Sequence, residues 1–469
     1  MIFNSLQFIV FFAIVVLLYF QLPHRVRWKL LLAASCYFYM VFLPVYIFIL
    51  GFTIVVDYFI AQKIENSTKH IKKMLLSASL IANLGVLFLF KYYNFFSSNL
   101  TEFLQAWGQN IHFPQLSILL PIGLSFHTFQ AMGYTVEVYR GNQKAERNFG
   151  IFALYVMFFP QLVAGPIERP QNLLPQFRIP KIYDFEKLKS GLLLLTFGLF
   201  KKVVIADRLA VMVDFGYSNI ENLSGASLLL AVFFYAFQIY CDFSGYSDIA
   251  VGSARILGFE LMENFRAPYF SQSIAEFWRR WHISLSTWFR DYLYVPLGGN
   301  QLTTGRRNAN ILIVFLLSGF WHGANWTFLV WGGLHGFFYI SEKITQKMFQ
   351  RLNFTNHKSV FLKYFKIICT FCLVTFAWIF FRAENLHQAF EIIKKIAAVG
   401  AYSGVSLQLQ PNEIYFSLFL VVFLLLKEKY LPYFFSKNTA AFWVQWIGLL
   451  LACYLFGVFN QKQFIYFQF

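Results

Sequence analysis

The run from 309 to 340 reads ANILIVFLLSGFWHGANWTFLVWGGLHGFFYI and carries no Asp, Glu, Lys or Arg. About 20 apolar residues suffice to cross a bilayer as a helix, so a run of this length belongs to a membrane protein. It is not one continuous span, because the polar patch 321–325, WHGAN, splits it. Polar groups inside an apolar run are costly, which makes function the first hypothesis for them. His322 lies at the centre of that patch, between Trp321 and Gly323. An imidazole accepts and returns a proton near neutral pH. The glycines allow close backbone approach or a break in the helix. Taken alone, a histidine on an apolar face is as well explained by a core residue held by a hydrogen bond.

The rest of the chain extends the membrane reading. Of 469 residues, 58% are hydrophobic and only 13% charged, against about 25% charged in a soluble domain. Lipid must therefore cover much of the surface. The 61 Phe and 26 Tyr suit lipid-facing and interfacial surfaces. Further apolar runs at 2–22, 74–96, 118–138, 190–206, 226–250, 361–381, 412–427 and 441–459 predict spans. The run 30–60 is interrupted by Pro44, and 150–166 ends in Pro160, Gly165 and Pro166, so these predict either short spans or re-entrant segments. The run 2–22 has no basic residue before it and is followed by Arg25, Arg27 and Lys29, the pattern of a retained helix, not a cleaved signal.

The net charge of +17 is placed between apolar runs. This is the positive-inside pattern and not a nucleic-acid surface. Segments 63–73, 140–147, 169–189, 255–307 and 343–366 are basic and are assigned to the cytoplasmic side. The segment 97–117 has no Lys or Arg and is assigned outside as a loop. That scheme requires broken runs that enter and leave on one side, which irregular backbone permits only where protein or a wet cavity surrounds it. No repeat and no soluble domain interrupts 1–469, so the chain is read as a single all-α polytopic domain. The five cysteines, including Cys369 and Cys372, lie in apolar stretches and are read as packed thiols. No metal site, phosphate loop or serine-hydrolase elbow is present as a motif.

Two further polar clusters stand out. The stretch 276–292, EFWRRWHISLSTWFRDY, is too polar to span. Continuous helical spacing would place Trp278, His282, Leu285 and Phe289 on one face. An amphipathic interfacial helix explains it as well as a His282 that faces His322. The stretch 240–248, YCDFSGYSD, ends an apolar run. Asp242 and Asp248 there are suited to orienting other groups or to ending a helix.

At these residues the chain resembles the membrane-bound O-acyltransferase family, most of all its alginate O-acetyltransferase branch. The carrying motifs are AGPIERP at 164–170, DFSGYSD at 242–248, FWRRWHISLS at 277–286, RDYLY at 290–294, SGFWHG at 318–323 and the closing FIYFQF at 464–469. The resemblance implies a helical membrane bundle with re-entrant segments around a central tunnel. It implies His322 as the catalytic residue and His282 as a second site residue. It also implies transfer of an acyl group, most simply acetyl, from a cytoplasmic thioester to an exported or cell-surface polysaccharide across a bacterial inner membrane. Acetyl-CoA or another acyl thioester would be the donor, with no permanently bound cofactor. An exported SGNH-type acetyltransferase would be the protein partner. Trp278, Trp321, Arg279 and Arg280 are candidate tunnel or donor contacts, and Lys201 and Lys202 candidate phosphate ligands. D-alanyl transfer from a carrier protein, peptidoglycan as acceptor, and a small-solute transporter are the competing readings. A transporter would be expected to show internal repeats.

Overall fold

The computed structural model describes residues 1–351, 360–398, 404–405, 410–431, 438–459 and 464–465. Among them every regular element is helical. Five helices are long and apolar enough to cross a membrane: Tyr46–Glu65, Lys69–Ala106, Gly225–Ile256, Val360–Arg382 and Thr439–Phe456. The chain is a multi-pass membrane protein of all-α class. Its Cα trace separates into two compact units, 1–195 with 249–262 and 196–248 with 263–469. Part of the basic segment 343–366, and residues 466–469 of the closing motif, lie outside the described residues.

The first unit opens with α1 (Leu6–Gln21), where the Ser5 hydroxyl accepts from the Phe8 N–H and so caps the helix. The run around Pro44 forms two helices, α2 (His24–Met40) and α3 (Tyr46–Glu65). Proline lacks the N–H and disfavours helix at the residue before it, which sets the break. Next come α4 (Lys69–Leu87), a π turn Phe88–Tyr92 and α5 (Tyr93–Ala106). These form one rod that ends just before Gly108, whose φ is +77°. The expected exterior loop 97–117 is therefore helical over its first ten residues, because nothing before Gly108 breaks the helix.

The run 118–138, expected as a span, is buried by protein along most of its length. Its helix, α6 (Leu124–Arg140), starts later and has nearly every residue buried inside the unit. It carries polar groups that need partners there. Gln130 donates to the Tyr155 carbonyl at 2.6 Å, and Thr135 donates to Asp57 of α3 at 3.1 Å. Asp57 also accepts from Asn83 at 2.9 Å and from Ser79, so this buried carboxylate is well satisfied.

After α7 (Phe149–Met157) the backbone leaves the helix and stays buried through residue 168. Two of its backbone groups are met by buried side chains. Phe159 N–H donates to Ser35 Oγ at 3.0 Å, and Tyr155 donates to the Glu168 carbonyl at 2.9 Å. The irregular segment expected from Pro160, Gly165 and Pro166 thus exists, and protein covers it as a water-poor setting demands. The short α8 (Pro170–Arg178) and α9 (Phe185–Phe200) follow, and the boundary between the units falls inside α9.

The second unit begins at the end of α9 and its π-helical continuation Lys201–Ala206. It then contains α10 (Asp207–Ser218), most of α11 (Gly225–Ile256), and the seven-residue helices α12 (Ile274–Arg280) and α13 (Ile283–Phe289). The hairpin α14 (Thr304–His322) and α15 (Trp326–Arg351) comes next. The unit ends with α16 (Val360–Arg382), α17 (Leu386–Ala397), α18 (Pro411–Tyr430) and α19 (Thr439–Phe456). Its core is a continuous cluster that includes Trp281, Trp331, Trp378, Phe277 and Phe381.

Candidate active site

The hairpin of α14 and α15 is held together by glycine. A Cβ on Gly319 of α14 would run into the Phe328 carbonyl oxygen of α15, and one on Gly332 of α15 into the Phe315 carbonyl oxygen of α14. Only glycine lets the two backbones approach this closely. Gly323, directly after His322, lies where a Cβ would meet the Phe328 ring. The polar patch is the turn itself, and Asn325 holds its far side by accepting from Thr327 N–H at 3.1 Å and donating to the Glu384 carbonyl at 2.8 Å.

His322 ends α14 and is 3% exposed. Its ring packs edge-on against Trp331 at 5.2 Å and Phe381 at 5.3 Å, with Trp321 at 4.9 Å. His282 is fully buried, and its ring centroid stands 6.4 Å from that of His322. The two histidines that the sequence separates by forty positions are therefore neighbours.

The route by which His282 gets there differs from the expected continuous helix. The chain breaks at His282, which adopts φ 44° and ψ 54° between α12 and α13. This left-handed conformation is uncommon for a residue with a side chain and is maintained by surrounding contacts. Asn264 supplies them. Its backbone carbonyl accepts from Ile283 N–H at 3.0 Å. Its side-chain Oδ1 accepts from Ser284 N–H at 3.0 Å and Ser284 Oγ at 2.8 Å, and lies 3.3 Å from His282 Nδ1. The sequence alone gives Asn264 no role, since nothing local signals a contact across eighteen residues. Neither α12 nor α13 is a membrane span, and burial pushes the His282 imidazole down to about 3, so it stays neutral.

The other expected site residues divide. Trp321 is buried and reaches both histidines, with its ring 6.3 Å from His282. Trp278 lies one layer away: its Nε1–H donates to His335 Nδ1 at 3.3 Å, and its ring meets Trp331 at 5.8 Å. Arg280 pairs with Glu276 at 2.6 Å and donates to the Ala267 carbonyl at 3.4 Å, so it ties down the loop before α12. Arg279 is exposed on α12.

Lys201 and Lys202 are not placed as phosphate ligands. Both are buried in ion pairs: Lys202 Nζ lies 2.9 Å from Asp207 and 2.5 Å from Asp242, and Lys201 Nζ lies 2.6 Å from Asp248. Asp242 and Asp248 accordingly lie within α11 and do not terminate it; they orient these lysines. Ile465 N–H donates to Asp242 Oδ2 at 2.8 Å, and the Phe464 ring lies 4.4 Å from Lys202 Nζ, so part of the closing motif docks on this cluster. Cys241 and Cys453 are buried as expected, but Cys369 and Cys372 are exposed on α16. No group of three or more His, Cys, Asp or Glu is placed to hold a metal among the described residues.

Residues 147–384, which include both histidines and Asn264, match the model of the MBOAT, membrane-bound O-acyltransferase, family. The chain is 39% identical over 406 residues to the probable alginate O-acetylase AlgI of Pseudomonas aeruginosa, covering 86% of this chain and 76% of that protein. It is 36% identical over 410 residues to the peptidoglycan O-acetyltransferase of Helicobacter pylori, covering 82% and 76%. A teichoic acid D-alanyltransferase of Streptococcus thermophilus is 30% identical over 236 residues, covering 47% and 56%.

Proposed function

The chain belongs to the membrane-bound O-acyltransferase family, and on that premise we propose that it transfers acetyl groups from a cytoplasmic thioester, most simply acetyl-CoA, toward an exported or cell-surface polysaccharide. The single observation that carries the reading is the pair of buried imidazoles, His282 and His322, 6.4 Å apart inside the matched region. Similarity over most of the chain to alginate and peptidoglycan O-acetyltransferases supports acetyl as the group and polysaccharide as the acceptor. The teichoic acid D-alanyltransferase matches are less similar, 30% and 26% identical over 47% and 59% of this chain, which favours acetyl over D-alanyl.

A hydroxyl attacks a thioester slowly unless its proton is removed as the new C–O bond forms. His322 takes that proton. The tetrahedral intermediate then collapses, the C–S bond breaks, and His322 returns the proton to the leaving thiolate. His282 stands beside His322, the two ring centroids 6.4 Å apart. The aromatic wall of Trp321, Trp331 and Phe381 excludes water, which would otherwise compete as a nucleophile. The site belongs to a protein of the bacterial inner membrane, and an exported SGNH-type acetyltransferase completes delivery to the polymer.

The test is ester-linked acetate on exported polysaccharide in cells carrying His322→Ala, with membrane insertion checked on the same samples. Loss of acetate with normal insertion is expected. Full acetylation by that variant overturns the assignment, and D-alanine in place of acetate on the wild-type polymer overturns the choice of acyl group.

A further inference from the structure

We infer that Asn264 is a positioning residue that fixes His282 in the tautomer protonated at Nδ1, so that His282 presents an acceptor lone pair at Nε2 and supports His322 as that ring takes the proton of the attacking hydroxyl.

The argument starts from the backbone. Ser284 N–H is a donor with no alternative role, and it points at the Asn264 side chain at 3.0 Å. The atom facing it must be the amide oxygen, because an NH2 there would set donor against donor. This settles the usual ambiguity between amide oxygen and nitrogen. The Ser284 hydroxyl, 2.8 Å from the same atom, donates to it as well. The amide nitrogen then faces Ser247 Oγ of α11 at 3.5 Å. With the oxygen fixed, the group 3.3 Å away on His282 must be a donor, so Nδ1 carries the proton. A neutral imidazole has only one N–H, so Nε2 is an acceptor.

The geometry narrows the role of His282. An Nε2 lone pair repels a thioester carbonyl oxygen, so His282 does not polarise the carbonyl. The attacking hydroxyl has a single proton, which goes to His322, so the acceptor on His282 acts on the charge that forms: it favours the imidazolium that His322 becomes as it takes that proton. The left-handed backbone at His282 belongs to the same device, since the Asn264 carbonyl and side chain together grip the first turn of α13 around it. His322 of α14 is the titratable ring facing His282, beside Phe243 of α11 at 4.6 Å and Trp321. The inference rests on the acyl-transfer reading above.

The test measures turnover of radiolabelled acetyl-CoA by membrane vesicles bearing the full chain, with the host's polymer present, together with unfolding midpoints in detergent. Asn264→Ala and His282→Ala each lower kcat by about 100-fold, the range of a mispositioned proton-transfer partner, and leave the KM for acetyl-CoA unchanged. The double variant is no slower than either single one, because Asn264 acts only through His282. Asn264→Asp keeps an acceptor oxygen toward both Ser284 N–H and His282 Nδ1, and it restores kcat to within about tenfold of wild type. A double variant slower than both singles by a further factor of about 100 overturns the inference, because a purely structural asparagine would act independently. So does Asn264→Ala at full turnover, or Asn264→Asp that unfolds at the wild-type midpoint yet stays as slow as Asn264→Ala. These outcomes differ from failure of the underlying reading, in which His322→Ala itself remains active.

Discussion

The His282 and His322 rings lie 6.4 Å apart with their planes at 57°, contributed by a strained turn and by the last residue of a helix. Groups that act on one reacting centre fail together, and their losses do not add. His322→Ala should remove acetyl transfer by about 10³-fold or more, and His282→Ala by about 100-fold. The double variant should sit near His322→Ala, well short of the product of the two losses. Rates measured on all four proteins in one vesicle preparation check this, and multiplicative losses would place the two rings in separate tasks.

The glycine crossing gives a second expectation. Alanine at Gly319 or Gly332 meets a backbone carbonyl oxygen that cannot rotate away. Overpacking of this kind costs about 1–3 kcal/mol, and here it also pushes α14, with His322, off α15. Gly333 sits next to Gly332, but its added Cβ would lie 3.6 Å from Leu316 Cδ2, an ordinary contact. Gly333→Ala should therefore stay within about 0.5 kcal/mol of wild type. Unfolding midpoints of the three variants in detergent, alongside their acetylation rates, decide it.

A pH effect on stability follows from His282. Its folded-state value of about 3 lies below the ordinary 6.5, so between those two values the unfolded chain binds a proton that the folded chain does not. Stability from this residue is complete above about pH 6.5 and is lost as the pH falls toward 3. The slope is up to about 1.4 kcal/mol per pH unit for one proton. His282→Gln should unfold with a shallower dependence between pH 7 and pH 5 than wild type, measured as the midpoint in detergent, and an unchanged slope would count against it.

How much of this could be read in advance depends on range along the chain. The split at 321–325 was legible, because an interruption of an apolar run is a local signal, and the structure turns there between α14 and α15. The break at Pro44 was legible for the same reason. The face of residues 276–292 was misjudged: periodicity assumes an unbroken helix, and nothing in RRWHIS marks a left-handed histidine. The partners that force it, on Asn264, lie eighteen residues upstream. Lys201 and Lys202 read as candidate phosphate ligands because Asp248 and Asp242, which pair with them, are forty and more positions away on α11, and composition does not pair charges. α6 looked like a span because burial inside protein and burial in lipid favour similar residues; only its polar positions, Gln130 and Thr135, hinted at internal partners.

The last expectation concerns the buried cation at 202. Lys202 is 1% exposed and is balanced by Asp207 and Asp242, and Asp242 in turn accepts from the Ile465 backbone. Desolvating such charges is tolerable only while each keeps its partner, and removing one partner typically costs about 3–5 kcal/mol. Asp242→Asn should therefore destabilise the second unit strongly and loosen residues 464–465 from it. The exposed pair of Lys394 and Glu391 on α17, 3.8 Å apart, gives the contrast. Glu391→Gln should change stability by no more than about 0.5 kcal/mol, because water screens an exposed pair. Adding Lys202→Met to Asp242→Asn removes the stranded cation and should recover part of the loss, although Asp207 then loses the Lys202 ammonium. Unfolding midpoints of the four proteins, read with protease cleavage near residue 460, test the argument. If Asp242→Asn melts like wild type, the lysine at 202 is not held by that carboxylate.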